Sequence, residues 1–278
     1  MRYLKEILGW FLCRTRLFPV LFGNHAVVLL FHRVHPDIAS LTLNCPPAEF
    51  ERYCLFLKNN FRVIPFGELV DRLADGRDVR GLAAINFDDG YLDNYEHAVP
   101  ILEKHALPAC FFIASNFIGS QFLTEWDRDQ GTPSAWMTWS QVRELRKKGF
   151  EIGAHSMNHV NLGKIQGEHA KIEIMQSRTD IEQQLGESVN LFSYPFGGRQ
   201  NITEANRSLV KEAGFVCCPS AYGGIVKPGS SPFYMLRQPV TPAWCASIWQ
   251  MAFELLQEVY SRRAHKPDMP SSENVHVM

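Results

Sequence analysis

The stretch Leu82-Ala83-Ala84-Ile85-Asn86-Phe87-Asp88-Asp89-Gly90 decides how the rest of the chain is read. Its first half is a short apolar run, the signature of a strand buried on both faces in an α/β protein. Gly90 permits a sharp exit, and Tyr91 to His105 reads as a helix. Two adjacent carboxylates therefore stand at the C-terminal end of a strand, where α/β folds place ligands and catalytic groups. Like charges this close repel, and desolvating each ion costs several kcal/mol. A positive partner is expected between them. Taken alone, the tripeptide reads equally well as a solvated Asp-Asp-Gly turn.

Outward from this strand the same alternation continues. Ala26 to Phe31 is a second buried run, delivering His32-Arg33-Val34-His35 at its end. Pro46–Asn60 and Phe66–Asp75 read as helices around a short strand at Phe61–Pro65. Pro108–Ala114 is an aromatic-rich strand. Ser115–Trp136 is a long connection, the kind that carries function in a compact domain. A helix follows at Thr138–Lys148, opened by Thr138 or Ser140 and stopped by Gly149. Phe150–Ala154 is the next strand, delivering His155, and Ile165–Leu185 is a long amphipathic helix. Val189–Tyr194 reads as a strand running into Pro195-Phe196-Gly197-Gly198, Glu204–Ala213 as a helix, and Phe215–Cys218 and Tyr234–Arg237 as the last strands. Pro242–Tyr260 reads as a final helix. The expected fold is α/β, a distorted (β/α) barrel of about seven strands in a single domain.

With 278 residues, 46% of them hydrophobic, the chain can build one large core. A net charge of -1 argues against a nucleic-acid partner, which calls for a basic stripe. Seven cysteines without framework spacing suggest buried thiols, and the adjacent Cys217 and Cys218 should point to opposite faces of a strand. Residues 1–25 form an N-terminal segment mixing Leu, Ile, Trp and Phe with Arg2, Lys5, Arg14 and Arg16. Its uncharged run is too short to span a bilayer. Peripheral contact with a membrane surface through residues 1–22 and packing on the barrel both fit. The catalytic unit is expected over 26–261, and a polar, disordered tail over 262–278. The expected location is cytoplasmic, peripheral to the inner membrane, with secretion the alternative.

His155-Ser156-Met157-Asn158-His159 is the second chemical signal. Histidines at i and i+4 on one face of a helical turn can grip one ion. Because His155 ends a strand, it should emerge on the rim that carries Asp88 and Asp89. Two imidazoles and one carboxylate make a facial triad with open coordination positions, which suits catalysis.

Asp-Asp-Gly, the His-x-x-x-His pair and Tyr194-Pro195-Phe196-Gly197 occur in this order, each after a strand. Together with Trp139-Ser140-Gln141-Val142-Arg143-Glu144-Leu145 and Gly149-Phe150-Glu151-Ile152-Gly153-Ala154-His155, they resemble the polysaccharide deacetylases, carbohydrate esterase family 4. The resemblance covers about Val27 to Val240. It implies that Asp88 is the general base, that Asp89, His155 and His159 are metal ligands, and that the segment at Tyr194 lines the acetyl pocket and offers a backbone N–H. The family's C-terminal Leu-x-His stretch for the general acid is missing. His32, in Leu29-Leu30-Phe31-His32, resembles the arrangement of circularly permuted members and takes the acid role; a histidine that merely caps a strand is the plain alternative. Where the family's third motif usually begins with arginine, this chain has Ser193. Arg237 is our expected replacement as the partner that keeps Asp88 ionised.

The implied activity is a metal-dependent hydrolase removing N-acetyl groups from an N-acetylhexosamine-containing glycan or glycolipid precursor. The implied cofactor is a divalent metal, Zn²⁺ first, with Co²⁺, Ni²⁺ or Fe²⁺ also suited to the ligand set. Trp126 and Asp127 in the long loop are the expected substrate contacts. Three rivals stand beside this. One is a non-haem iron oxygenase, for which a second Asp serves no purpose. Another is a catalytically idle glycan-binding module stacking sugars on Trp126, Trp136 and Trp139. The last is a deacylase of a non-polymeric amide.

Overall fold

The computed structural model describes residues 2–37, 43–241 and 247–260. Six parallel strands are found among them: β1 (Val27–Phe31), β2 (Arg62–Val63), β3 (Leu82–Phe87), β4 (Cys110–Ile113), β5 (Glu151–Ala154) and β6 (Gln238–Pro239). The order across the sheet is β5-β4-β3-β1-β6, and β2 pairs with the start of β3. Ten α-helices surround them: α1 (Arg2–Arg14), α2 (Leu17–Phe22), α3 (Pro47–Asn60), α4 (Phe66–Ala74), α5 (Val99–His105), α6 (Glu125–Asp129), α7 (Trp139–Lys147), α8 (Gly167–Leu185), α9 (Glu204–Glu212) and α10 (Ile248–Tyr260).

Burial on both faces explains why the strands read as continuous apolar runs. Leu29, Ile85 and Phe111 join an outer cluster with Phe50 and Phe150, in which Phe87 stacks on Phe111 at 4.7 Å. Val28, Ala84 and Phe112 alternate with them and join a second cluster with Phe66, Leu191, Cys217 and Met235. The sheet thus curls around the second cluster, although no hydrogen-bonded strand among the described residues closes it.

Two expected strands are reduced. Within Val189–Tyr194, only Phe192 bridges Ala154, through Ala154 N–H to Leu191 O and Ser193 N–H to Ala154 O, both 2.9 Å. Phe215–Cys218 makes a single backbone bond to this segment, Val216 N–H to Asn190 O at 2.8 Å. Apolar patterning reports that these segments are buried; it does not report a neighbour to pair with. The opposed cysteines hold all the same: Cys217 packs inside the curl, Cys218 outside it, and both are free thiols. The last strand starts after Arg237, because Pro232–Tyr234 forms a 3₁₀ turn.

Several boundaries follow from capping. Thr138, rather than Ser140, opens α7, in a capping box with Gln141. The segment after Gly90 is broken: residues Asn94–Ala98 form a π turn before α5. The long loop is not structureless, since α6 lies within it, capped by Thr124. The final helix begins at Ile248; residues 242–246 and the expected tail at 262–278 lie outside the described residues. At the other end, α1 packs on α10, while Phe18 and Phe22 of α2 are buried against Phe56 and Phe61.

Candidate active site

Strand register builds the site. Phe31 pairs with Phe87, and Ile113 with Ala154. The residues that follow, His32, Asp88, Asp89 and His155, therefore leave the sheet on one rim. Asp88 N–H donates to Phe31 O at 3.0 Å and His155 N–H to Ile113 O at 2.9 Å, continuing the ladder one step past the strands. Gly90 is required next: its φ is +94°, and a Cβ there would lie 2.8 Å from Ile118.

Asp89, His155 and His159 converge. Asp89 Oδ1 lies 3.3 Å from His155 Nε2 and 3.1 Å from His159 Nε2. One ligand atom from each lies within 4.8 Å of the others, and all three residues are buried. His155 Nδ1 faces Ser193 O at 2.9 Å. That contact makes Nδ1 the protonated nitrogen and turns the Nε2 lone pair into the cluster. Beyond the two imidazoles Asp89 Oδ1 has no partner among the described residues, and His159 Nδ1 has none there either. Buried polar atoms left this way are costly. The donor set, two imidazoles and a carboxylate, fits a divalent ion.

The two histidines do not sit on a helical turn, as their spacing suggested. Residues 155–161 form a bent loop with Ser156 and His159 in the left-handed region, at φ 58° and 52°. Asp89 is left-handed too, at φ 78°. Such non-glycine residues persist only where their surroundings over-determine them. Here one restraint is Glu173 of α8, a buried carboxylate. It accepts from Met157 N–H (3.1 Å), Asn158 N–H (2.9 Å) and Asn158 Nδ2 (2.7 Å). Glu173 escaped the sequence reading, yet a signal was there: an acid in register with Ala170, Ile174, Ser177 and Ile181, the buried face of α8. Glu173→Gln should weaken metal affinity about 10- to 100-fold, the usual cost of losing an outer-shell support. Isothermal titration of Zn²⁺ measures it.

Asp88 is held apart from this cluster. Arg237, fully buried, clamps it through Nη1 to Oδ1 at 2.8 Å and Nη2 to Oδ2 at 2.7 Å. Arg237 also donates to Ser193 Oγ (2.7 Å) and Ser220 O (2.8 Å). Ser193 in turn donates to Asp88 Oδ2 at 3.2 Å. Burial pushes the Asp88 pKa up, but the Arg237 guanidinium and then His155 outweigh it and hold it below 3.8. The same contest leaves Asp89 well below its ordinary range, through His159 and His155. Ser193 fills the gap left by the missing motif arginine as a relay between Arg237 and Asp88.

A cavity of about 330 Å³ opens over these groups, lined by His32, Trp126, Tyr194, Phe196, Ala221 and Pro239 among others. Burial lowers the His32 pKa below 6.5, against the pull of Asp89 and Asp88. Its backbone carbonyl is held by Asn94 Nδ2 at 3.0 Å, from the π turn. Phe196 is a half-exposed rim, 4.8 Å from the His159 ring. Tyr194 is buried, and its backbone N–H has no hydrogen-bond partner among the described residues.

Three expected contacts do not reach the cavity. Pro195 and Gly197 shape the turn beside it, Gly197 O accepting from Ala221 N–H at 2.8 Å. Asp127 is a buried hub that accepts from Arg33 (3.2 Å), Tyr91 Oη (2.9 Å), Thr124 Oγ1 (2.8 Å) and Ser134 Oγ (2.5 Å). Buried and already held by these four donors, it is not open to a sugar. It instead fixes α6, so that Trp126, donating to Tyr91 Oη at 2.8 Å, stands 5.0 Å from His159. Trp136 is likewise core, stacked on Tyr91 at 4.5 Å, and Trp139 packs on the main cluster. Of the three stacking candidates, Trp126 alone lines the cavity.

A parallel α/β sheet with a two-histidine, one-aspartate cluster beside a clamped second aspartate defines a hydrolase-type site at strand ends. The polysaccharide deacetylase model matches residues 75–217, just over half of the chain, and the chain belongs to that family. Family members are deacetylases and are generally metal-dependent. The chain is 23% identical over 233 residues to YxkH of Bacillus subtilis (strain 168), which carries the provisional name of a polysaccharide deacetylase. That match covers 83% of this chain and 76% of YxkH. The poly-beta-1,6-N-acetyl-D-glucosamine N-deacetylase of Staphylococcus aureus (strain MRSA252) is 24% identical over 200 residues, covering 68% of this chain and 65% of that protein. The structure of IcaB from Ammonifex degensii superposes with a TM-score of 0.69 at 25% identity, covering 84% of this chain and 98% of that one.

Proposed function

We propose that the protein is a divalent-metal-dependent N-deacetylase acting on a polymer of N-acetylglucosamine. One observation carries this reading: Asp89, His155 and His159 meet at one point while Asp88 is held beside them by a different partner. The name of the Staphylococcus aureus relative supports the substrate class. Asp89, His155 and His159 would hold the metal, Zn²⁺ by preference, with Co²⁺, Ni²⁺ or Fe²⁺ compatible. When bound, that ion would supply Lewis-acid polarisation and acidify a water to a pKa of about 7.

The chain's own groups then divide the proton work. Asp88, kept ionised by Arg237, takes the proton of the attacking water. The unpartnered Tyr194 N–H points to an oxyanion donor, a type of contact whose loss costs about 10²–10³ in rate. His32, in its protonated form, gives a proton to the departing amine, and its lowered pKa makes that form a stronger acid. Trp126 and Phe196 would hold the sugar face above the metal cluster.

His32→Ala should lower kcat about 10²–10⁴-fold with KM little changed; an unaltered kcat would return His32 to a capping role. The reading itself is tested by incubating enzyme and Zn²⁺ with an N-acetylglucosamine oligomer and following acetate and product mass. Loss of one acetyl mass per acetate supports it. Oxygen consumption with ferrous iron and no acetate would favour the oxygenase instead.

A further inference from the structure

The helical layer that leads into β1 exposes an apolar face. α2 leads into the start of β1, and α3 finishes at Asn60 just before β2 meets the start of β3. α2 and the C-terminal ends of α3 and α10 therefore lie towards the end where strands begin, whereas Asp88, Asp89 and His155 stand where strands end. The layer is firmly attached. Gly9 lets α1 approach the Trp249 carbonyl so closely that a Cβ would lie 1.9 Å from it. Lys5 bonds Glu254 at 3.1 Å, and Tyr260 Oη donates to Leu21 O at 2.8 Å.

Facing outward on the same layer are Tyr3 (80% exposed), Ile7, Trp10, Phe11 and Val20 (74% exposed), with Tyr3, Ile7 and Trp10 at helical spacing. Beside this stripe lies a cavity of about 650 Å³ lined by Trp10, Arg14, Arg16, Arg52 and Trp249 among others. Arg14 and Arg16 have no carboxylate partner among the described residues; Arg52 pairs on the surface with Glu49. An apolar stripe edged by unpaired arginines and interfacial aromatics matches a bilayer surface. No helix among the described residues is long and apolar enough to cross a membrane, so the contact would lie in the surface plane.

We propose that α1 and α2 dock on a bilayer containing anionic phospholipid, the Arg14–Arg16–Arg52 cleft taking lipid phosphates while Tyr3, Ile7, Trp10 and Val20 enter the interface. Charge complementarity selects this occupant. A two-fold contact with a second copy would gather the arginines of both clefts into one interface, and no carboxylate among the described residues lines the cleft to meet them. An acidic soluble peptide would leave the Tyr3–Ile7–Val20 stripe in water.

The test is sedimentation of the full-length chain with vesicles of mixed phosphatidylglycerol and phosphatidylcholine, against pure phosphatidylcholine. Co-sedimentation with the anionic vesicles only, weakening as salt is raised, is expected. The double variant Arg14→Glu/Arg16→Glu should lower partitioning by at least about 25-fold, roughly fivefold per charge. Ile7→Glu/Trp10→Glu, on solvent-facing positions, should abolish it. Both double variants should keep acetate release from a soluble oligomer, which reads out folding independently of docking. Equal sedimentation by wild type and variants, no sedimentation at all, or a dimer dispersed by Ile7→Glu/Trp10→Glu would each overturn the proposal.

Discussion

Asp88→Asn is expected to lower kcat for acetate release by about 10²–10⁴-fold while metal content stays at wild-type level. The amide is isosteric with the carboxylate, so the cavity keeps its shape. Its oxygen can still accept from Arg237, but its NH₂ would confront the second guanidinium N–H, and one of the two bonds at 2.7–2.8 Å is lost. Asparagine cannot take a proton from water. The metal cluster is built from Asp89, His155 and His159, so Zn²⁺ binding measured by titration should hold. Unchanged turnover would mean that the clamped carboxylate is structural, as an idle glycan-binding module requires.

The second large effect belongs to stability. Arg237→Ala leaves Asp88 a buried anion without its main partner, and breaking a buried pair this way costs about 3–5 kcal/mol. Loss of the Ser220 and Ser193 contacts adds to it. Arg237→Lys should recover only part, because an ammonium is a point charge and cannot span both carboxylate oxygens. The sign with pH follows from the depressed Asp88 pKa. Its stabilisation is fully present above the unfolded carboxylate pKa of about 3.9 and is lost as pH falls through the lower folded value. Urea titrations from pH 7 to pH 3 should show a steeper fall for wild type than for Arg237→Ala. Parallel curves would remove the pairing as a source of stability. In catalysis the same variant should raise the lower pH limit of kcat/KM, since an unpaired buried carboxylate protonates more readily.

The strand carrying Asp88 and Asp89 was readable because double-sided burial leaves a plain apolar run, and register then carried His32 and His155 to the same rim. Arg237 could be singled out because a buried anion needs a cation, a demand of electrostatics rather than of local pattern. Its distance of 149 residues from Asp88 along the chain hid nothing from that argument. Other features were out of reach for definite reasons. Left-handed backbone at Asp89, Ser156 and His159 is imposed by tertiary contacts, so the i, i+4 spacing of the histidines suggested a helix that does not form. Asp127 looked available because an acid in a loop usually faces water; Arg33, Tyr91, Thr124 and Ser134 come from separate stretches to bury it. The segment at Leu191–Ser193 shows the remaining limit, since burial was legible and its single-bridge pairing was not.

The most direct measurement is acetate release from an N-acetylglucosamine oligomer by protein stripped with chelator, then reloaded with Zn²⁺, with His155→Ala alongside. The account predicts acetate in step with loss of acetyl mass, abolished by stripping, restored by the ion, and absent in the variant. Acetate release that survives stripping, or none from fully loaded wild type, would contradict it.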